Sequence, residues 1–118
     1  MKALILISTL SMLATSDGYA GSQKSPEQGK DSQVVYRAGS QESFDGPAEY
    51  FTGKVHVKLL FPANETAHYS GAYVTFQPGA RTAWHFHPAG QHMIVTSGVG
   101  RTGEWEGRVE EIKAGDVI

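Results

Sequence analysis

Pro78-Gly79-Ala80-Arg81-Thr82-Ala83-Trp84-His85-Phe86-His87-Pro88-Ala89-Gly90-Gln91-His92 carries two imidazoles two positions apart. On an extended strand, residues i and i+2 point to one face. His85 and His87 therefore project together if this stretch is a strand, close enough to share one ion. Neutral imidazole is the commonest metal ligand. The same spacing also suits two polar residues on the wet face of a strand, and the pair alone does not choose. The chain has no cysteine, so disulfides play no part and any metal must be held by nitrogen and oxygen.

Outward from this stretch the pattern is that of a β protein. Upstream, Val55, Val57 and Leu59 alternate with Lys54, His56 and Lys58, the period-two signature of a half-buried strand. Residues 62–66 read as a turn, and residues 69–76 are β-branched and aromatic, hence a strand. Gln77-Pro78-Gly79-Ala80 is a turn signal. Downstream, residues 91–96 form a strand ended by Ser97-Gly98. Residues 99–105 and 108–112 flank Glu106-Gly107 as a hairpin, and residues 113–116 turn again. A short strand is expected at 34–37 and a loop at 39–53, whose Phe44, Tyr50 and Phe51 are placed to lie across one end of a barrel. Short strands at close spacing with glycine turns predict a sandwich or small barrel, with no helix and no internal repeat.

The start of the chain reads differently. Lys2, the mostly apolar residues 3–13 and the small residue Ala20 form an export-leader pattern, too short to span a bilayer as a stable helix; a membrane anchor or a buried helix are the other readings. Cutting after Ala20 leaves 118 − 20 = 98 residues. It removes Lys2 and Asp17, so the formal net charge stays at −2. The expected organisation is thus a leader over 1–20, a flexible Gly/Ser/Gln/Lys-rich linker over 21–33, and one domain over 34–118, exported to the periplasm or beyond. The slightly acidic charge and the lack of a basic cluster give no reason to expect nucleic acid.

Gly79, five residues, His85-x-His87, three residues, Gln91, six residues and Gly98 resemble the first motif of the cupin superfamily, with Gln91 where that motif has a glutamate. The resemblance covers residues 54–118. It implies an all-β, jelly-roll barrel holding a divalent metal through the two histidines, the residue at 91 and a further histidine from a second motif. Ala114-Gly115-Asp116-Val117-Ile118 is similar to the start of that second motif, and the sequence stops there. The expectation is a barrel incomplete at its C-terminal end and a sequence that is a fragment.

Within the superfamily, residues 46–53, 78–91 and 110–117 resemble the small bacterial manganese-dependent hydroxynitrile lyases, which carry glutamine in place of the glutamate. This implies Mn²⁺ (Fe²⁺ and Zn²⁺ being chemically admissible) on His85, His87 and Gln91, a small hydroxy or carbonyl substrate, and a homo-oligomer of single barrels. His92 also falls within the motif's window and is the alternative to Gln91, since neighbours on a strand face opposite ways. Thr82 is a weak candidate for contacting substrate, turn formation being the plainer role. Trp84 and Phe86 alternate with the histidines and are expected to point into packing between sheets. Ala72 and Val74 line the pocket if Tyr73 faces outward. Arg81 suits a salt bridge at the rim, and His56 and His68 are read as solvated.

Overall fold

The computed structural model describes residues 1–8 and 33–118. Ala20 and all of the expected linker but Gln33 lie outside the described residues. Among those residues the chain is all-β and antiparallel, with no helix. Strands β1 (Lys2–Ser8), β2 (Ser43–Asp45), β4 (Val55–Phe61), β5 (Tyr69–Phe76) and β7 (Gln91–Ser97) form one sheet in the order β2-β4-β5-β1-β7. β3 (Phe51–Thr52) pairs with β6 (Arg81–Thr82), and β8 (Val99–Gly103) pairs with β9 (Val109–Lys113). The expected barrel is not closed: the described residues give an open five-stranded sheet and two small ones.

The core is a row across the large sheet. Val57, Val74, Ala3 and Val95 are cross-strand partners in turn, and all four are buried. Directly opposed residues share a face, so this row fixes which side of each strand is inside. Val55 joins it, and Ile5, Phe44, Phe51, Leu59, Ala72, Phe76 and Ala80 pack against it. Each fully buried valine contributes on the order of 1.5–3 kcal/mol. Phe51, from the small β3–β6 sheet, meets Phe76 edge-on with ring centroids 6.2 Å apart, which seats that sheet over the core. Where β4 bulges between Leu59 and Phe61, the Phe61 ring lies over Gly71, and a Cβ there would come within 2.6 Å of it. Glycine is what allows that close approach.

Several expectations need correcting. Residues 34–37 form no strand, and Val34, Val35 and Tyr36 are exposed; no strand among the described residues pairs with them. The loop expected over 39–53 contains β2 and β3, each too short to announce itself locally. The hairpin turn sits one residue earlier than expected: the Gly107 N–H donates to the Glu104 carbonyl at 3.0 Å, with Glu106 at φ 60°. Residues 117–118 do pair, since Met93 and Ile118 exchange backbone hydrogen bonds of 2.9 Å. Within the span expected to be an export leader, Lys2–Ser8 is an interior strand of the large sheet.

Candidate metal centre

The two histidines sit between β6 and β7, not on a strand. The physical reason is local. The last ladder-like bond of this segment runs from the Ala83 N–H to the Tyr50 carbonyl, 2.8 Å, after which β3 offers no further partner. Pro88, two residues before Gly90, has no N–H to give a sheet. Proline at the second position and Gly90 at the fourth suit a tight turn, closed by the Gly90 N–H donating to the His87 carbonyl at 2.9 Å. That turn returns the chain into β7 at Gln91.

Although the strand is missing, the rings still come together. His85 and His87 lie edge to face with centroids 4.9 Å apart. His85 is exposed and His87 half-buried. The Nδ1 of His85 is 2.8 Å from the Ala83 carbonyl oxygen. A carbonyl only accepts, so Nδ1 carries the hydrogen, and in the neutral ring Nε2 keeps the lone pair a ligand needs. The pKa of His87 is lowered from its ordinary value, first by burial and second by the neighbouring His85 charge. Both effects favour the neutral, metal-competent ring.

Gln91 opens β7, and its cross-strand partner is Ile7. Counting by twos, Gln91, Met93 and Val95 share the face of the buried row, whereas His92 lies opposite with its partner Leu6. The register thus puts Gln91 on the core side and His92 on the outer side. The nitrogen and oxygen donors at 85, 87 and 91 fit a divalent first-row ion. Among the described residues, no group of three His, Cys, Asp or Glu side chains gathers that could hold a metal, so the imidazole pair has no third partner of those types.

The remaining residues fall as follows. Thr82 ends β6 opposite Phe51 and is exposed. Arg81 forms no ion pair among the described residues, contrary to its expected rim bridge. Val74 is core rather than pocket lining, and Ala72 packs beside it, while Tyr73 does face outward. His56 is exposed and its Nδ1 lies 3.1 Å from Asp45 Oδ1; His68 is exposed. Trp84 and Phe86 are not packed between sheets: they are 61% and 85% exposed, because no layer of the described residues covers them. Trp84 instead meets Trp105, at the tip of the β8–β9 hairpin, edge-on at 5.4 Å. No sequence signal pointed to Trp105, since a turn residue gives no hint of what lies across from it.

No protein-family model matches the chain. The chain is similar to an (R)-mandelonitrile lyase of Granulicella tundricola, 55% identical over 84 residues, covering 71% of this chain and 64% of that protein. The chain therefore spans less than two thirds of the length of the relative it matches.

Proposed function

We propose that the chain belongs to the cupin superfamily and acts as a metal-dependent hydroxynitrile lyase, cleaving a small cyanohydrin to a carbonyl compound and cyanide. The observation that carries this reading is the His85–His87 pair, with Nε2 of His85 left to coordinate. The likeness to an (R)-mandelonitrile lyase supports the reaction class.

In this reading His85, His87 and Gln91 hold Mn²⁺, with Fe²⁺ or Zn²⁺ as admissible replacements. A bound divalent ion supplies Lewis acidity to the substrate hydroxyl oxygen and lowers its pKa. None of the three side chains brings a negative charge, so the ligand set leaves that acidity undiminished. In the reaction the hydroxyl proton goes to a base, the bond to the nitrile carbon breaks, and its electron pair leaves with cyanide. In this reading Thr82, exposed at the entry to the histidine segment, hydrogen-bonds substrate. The exposed Trp84 and Trp105 present aromatic surface next in sequence and space to that segment.

Export to the periplasm or beyond belongs to the same proposal, resting on residues 1–20. So does self-association: the exposed rings of Trp84 and Trp105 touch, with the exposed Phe86 two residues on from Trp84, and offer apolar surface to a second copy. A second reading is a non-catalytic module that holds a metal or small ligand, favoured by the lack, among the described residues, of a third His, Cys, Asp or Glu at the pair. Metal content of the purified protein and cyanide release from mandelonitrile separate the two. Metal with cyanide release is the lyase; metal without turnover is the module; neither metal nor turnover removes both.

A further inference from the structure

Residues Lys2–Ser8 lie between β5 and β7, antiparallel to both, paired with β5 along their whole length and with β7 over Lys2–Ile7, with a register shift between Lys2 and Ala3. Ala3 is fully buried, opposite Val74 on one side and Val95 on the other. The chain start is also tied in. The Met1 ammonium donates to the Phe76 carbonyl at 2.9 Å, and the Phe76 N–H donates back to the Met1 carbonyl at 2.8 Å. Gly98, at φ +80°, makes room for it: a Cβ there would come 3.1 Å from Met1 Cα. A side chain at Gly100 would collide with the Met1 sulfur.

The same residues carry the export-leader pattern, and a cut after Ala20 severs them from everything they pair with. One segment thus has two roles that conflict once the chain is processed. We propose that the slot between β5 and β7 is a strand-accepting site, and that Lys2–Ser8 fills it as a separable strand, held by pairing and burial and not by its covalent link. This inference stands apart from the metal reading. An empty slot leaves two unpaired sheet edges, which is unfavourable, so the severed strand stays or is replaced by a copy of itself. In strand addition, main-chain hydrogen bonds give affinity and pockets for alternate side chains give selectivity. Here the selective position is Ala3: it is fully buried with Val74 and Val95 opposite it on either side, and a larger side chain there overpacks the row. The occupant is therefore an extended apolar heptad with a small second residue, and Lys2–Ser8 is that sequence.

The test uses the full chain with a specific protease site placed within residues 21–32 and cut after folding. The expected result is that the N-terminal fragment stays with the body at one to one by size-exclusion chromatography and native mass spectrometry. Excess labelled Lys2–Ser8 peptide then replaces it. The peptide bearing Ala3→Leu competes at least about tenfold more weakly, as overpacking a filled core position implies. A second measurement needs no cut: in uncut Ala3→Leu protein, amide exchange in residues 2–8 rises while the β8–β9 hairpin keeps its protection. A fragment that elutes apart from a body whose β5 and β7 amides stay protected overturns the proposal. So does failure of the labelled peptide to enter, or entry of the Ala3→Leu peptide as readily as the native one.

Discussion

His85 turns its Nδ1 back onto the carbonyl of Ala83, two residues upstream, at 2.8 Å. The bond fixes both ring orientation and tautomer, so Nε2 is the nitrogen presented outward. In His85→Asn the side-chain amide reaches about as far as Nδ1, so the bond to Ala83 survives and Nε2 is lost. Stability should change by less than about 0.5 kcal/mol, while metal affinity falls by about 100-fold or more. His85→Gln, whose amide reaches nearer to Nε2, should retain more metal than His85→Asn. Metal titration alongside thermal unfolding reads both, and equal retention by the two variants would contradict the tautomer.

Gln91 and His92 separate by face. Gln91→Ala should weaken metal binding about tenfold or more, and His92→Ala should leave it within experimental scatter. The reverse ranking in metal content would place the outer face of β7, and not its core face, at the site.

Stability should depend on pH through His87. Its folded pKa lies below the ordinary 6.5 because burial, and then the His85 charge, disfavour the cation. The unfolded chain takes up the proton more readily than the folded one. The contribution is therefore present above about pH 6.5 and is lost as pH falls through that value toward the folded pKa. Urea midpoints between pH 7.5 and 5 should fall, and His87→Gln should flatten that part of the slope. Wild-type and His87→Gln profiles that run parallel through the window would rule His87 out as the cause.

Glu106 holds a left-handed backbone at φ 60° in the β8–β9 turn. A side chain there costs about 1–2 kcal/mol, and glycine gives part of that back as chain entropy. Glu106→Gly should stabilise by about 0.5–1 kcal/mol, and Glu106→Val should destabilise by a similar amount. Chemical denaturation of the two variants gives the sign directly.

Processing after Ala20 predicts that protein recovered from outside the cytoplasm begins at Gly21. Recovery only of cytoplasmic chains that begin with Met1, by intact-mass measurement, would refute export.

Much of the sheet was legible because alternation is local. β4 announces itself by Val55, Val57 and Leu59 against Lys54, His56 and Lys58, and β5 by its β-branched and aromatic run; the structure places strands there. β2 and β3 were not legible, because three- and two-residue strands owe their form to distant partners, Val57 for Phe44 and Thr82 for Phe51. The nearness of His85 and His87 was legible in their spacing, but the strand beneath them was not to be had, since β6 runs out of partner at Ala83. Trp84 and Phe86 depart from expectation for a related reason. Burial depends on what covers a residue, and neighbours in sequence do not tell that. For Lys2–Ser8, an apolar run without alternation reads equally well as a leader and as a strand buried on both faces.

The placement of β1 sets the order of events during synthesis. β1 finds one neighbour in residues 69–76 and the other in residues 91–97, both later in the chain. At translation rates of about 5–20 residues per second, the roughly 90 residues that separate Ser8 from Ser97 take on the order of 5–20 s to appear. For that interval the two strands that flank this segment in the sheet are not both complete. Under the proposed export, a targeting receptor meets this segment before its sheet exists, and a completed sheet only afterwards. The timing of capture then sets whether Lys2–Ser8 serves first as an address or first as a strand.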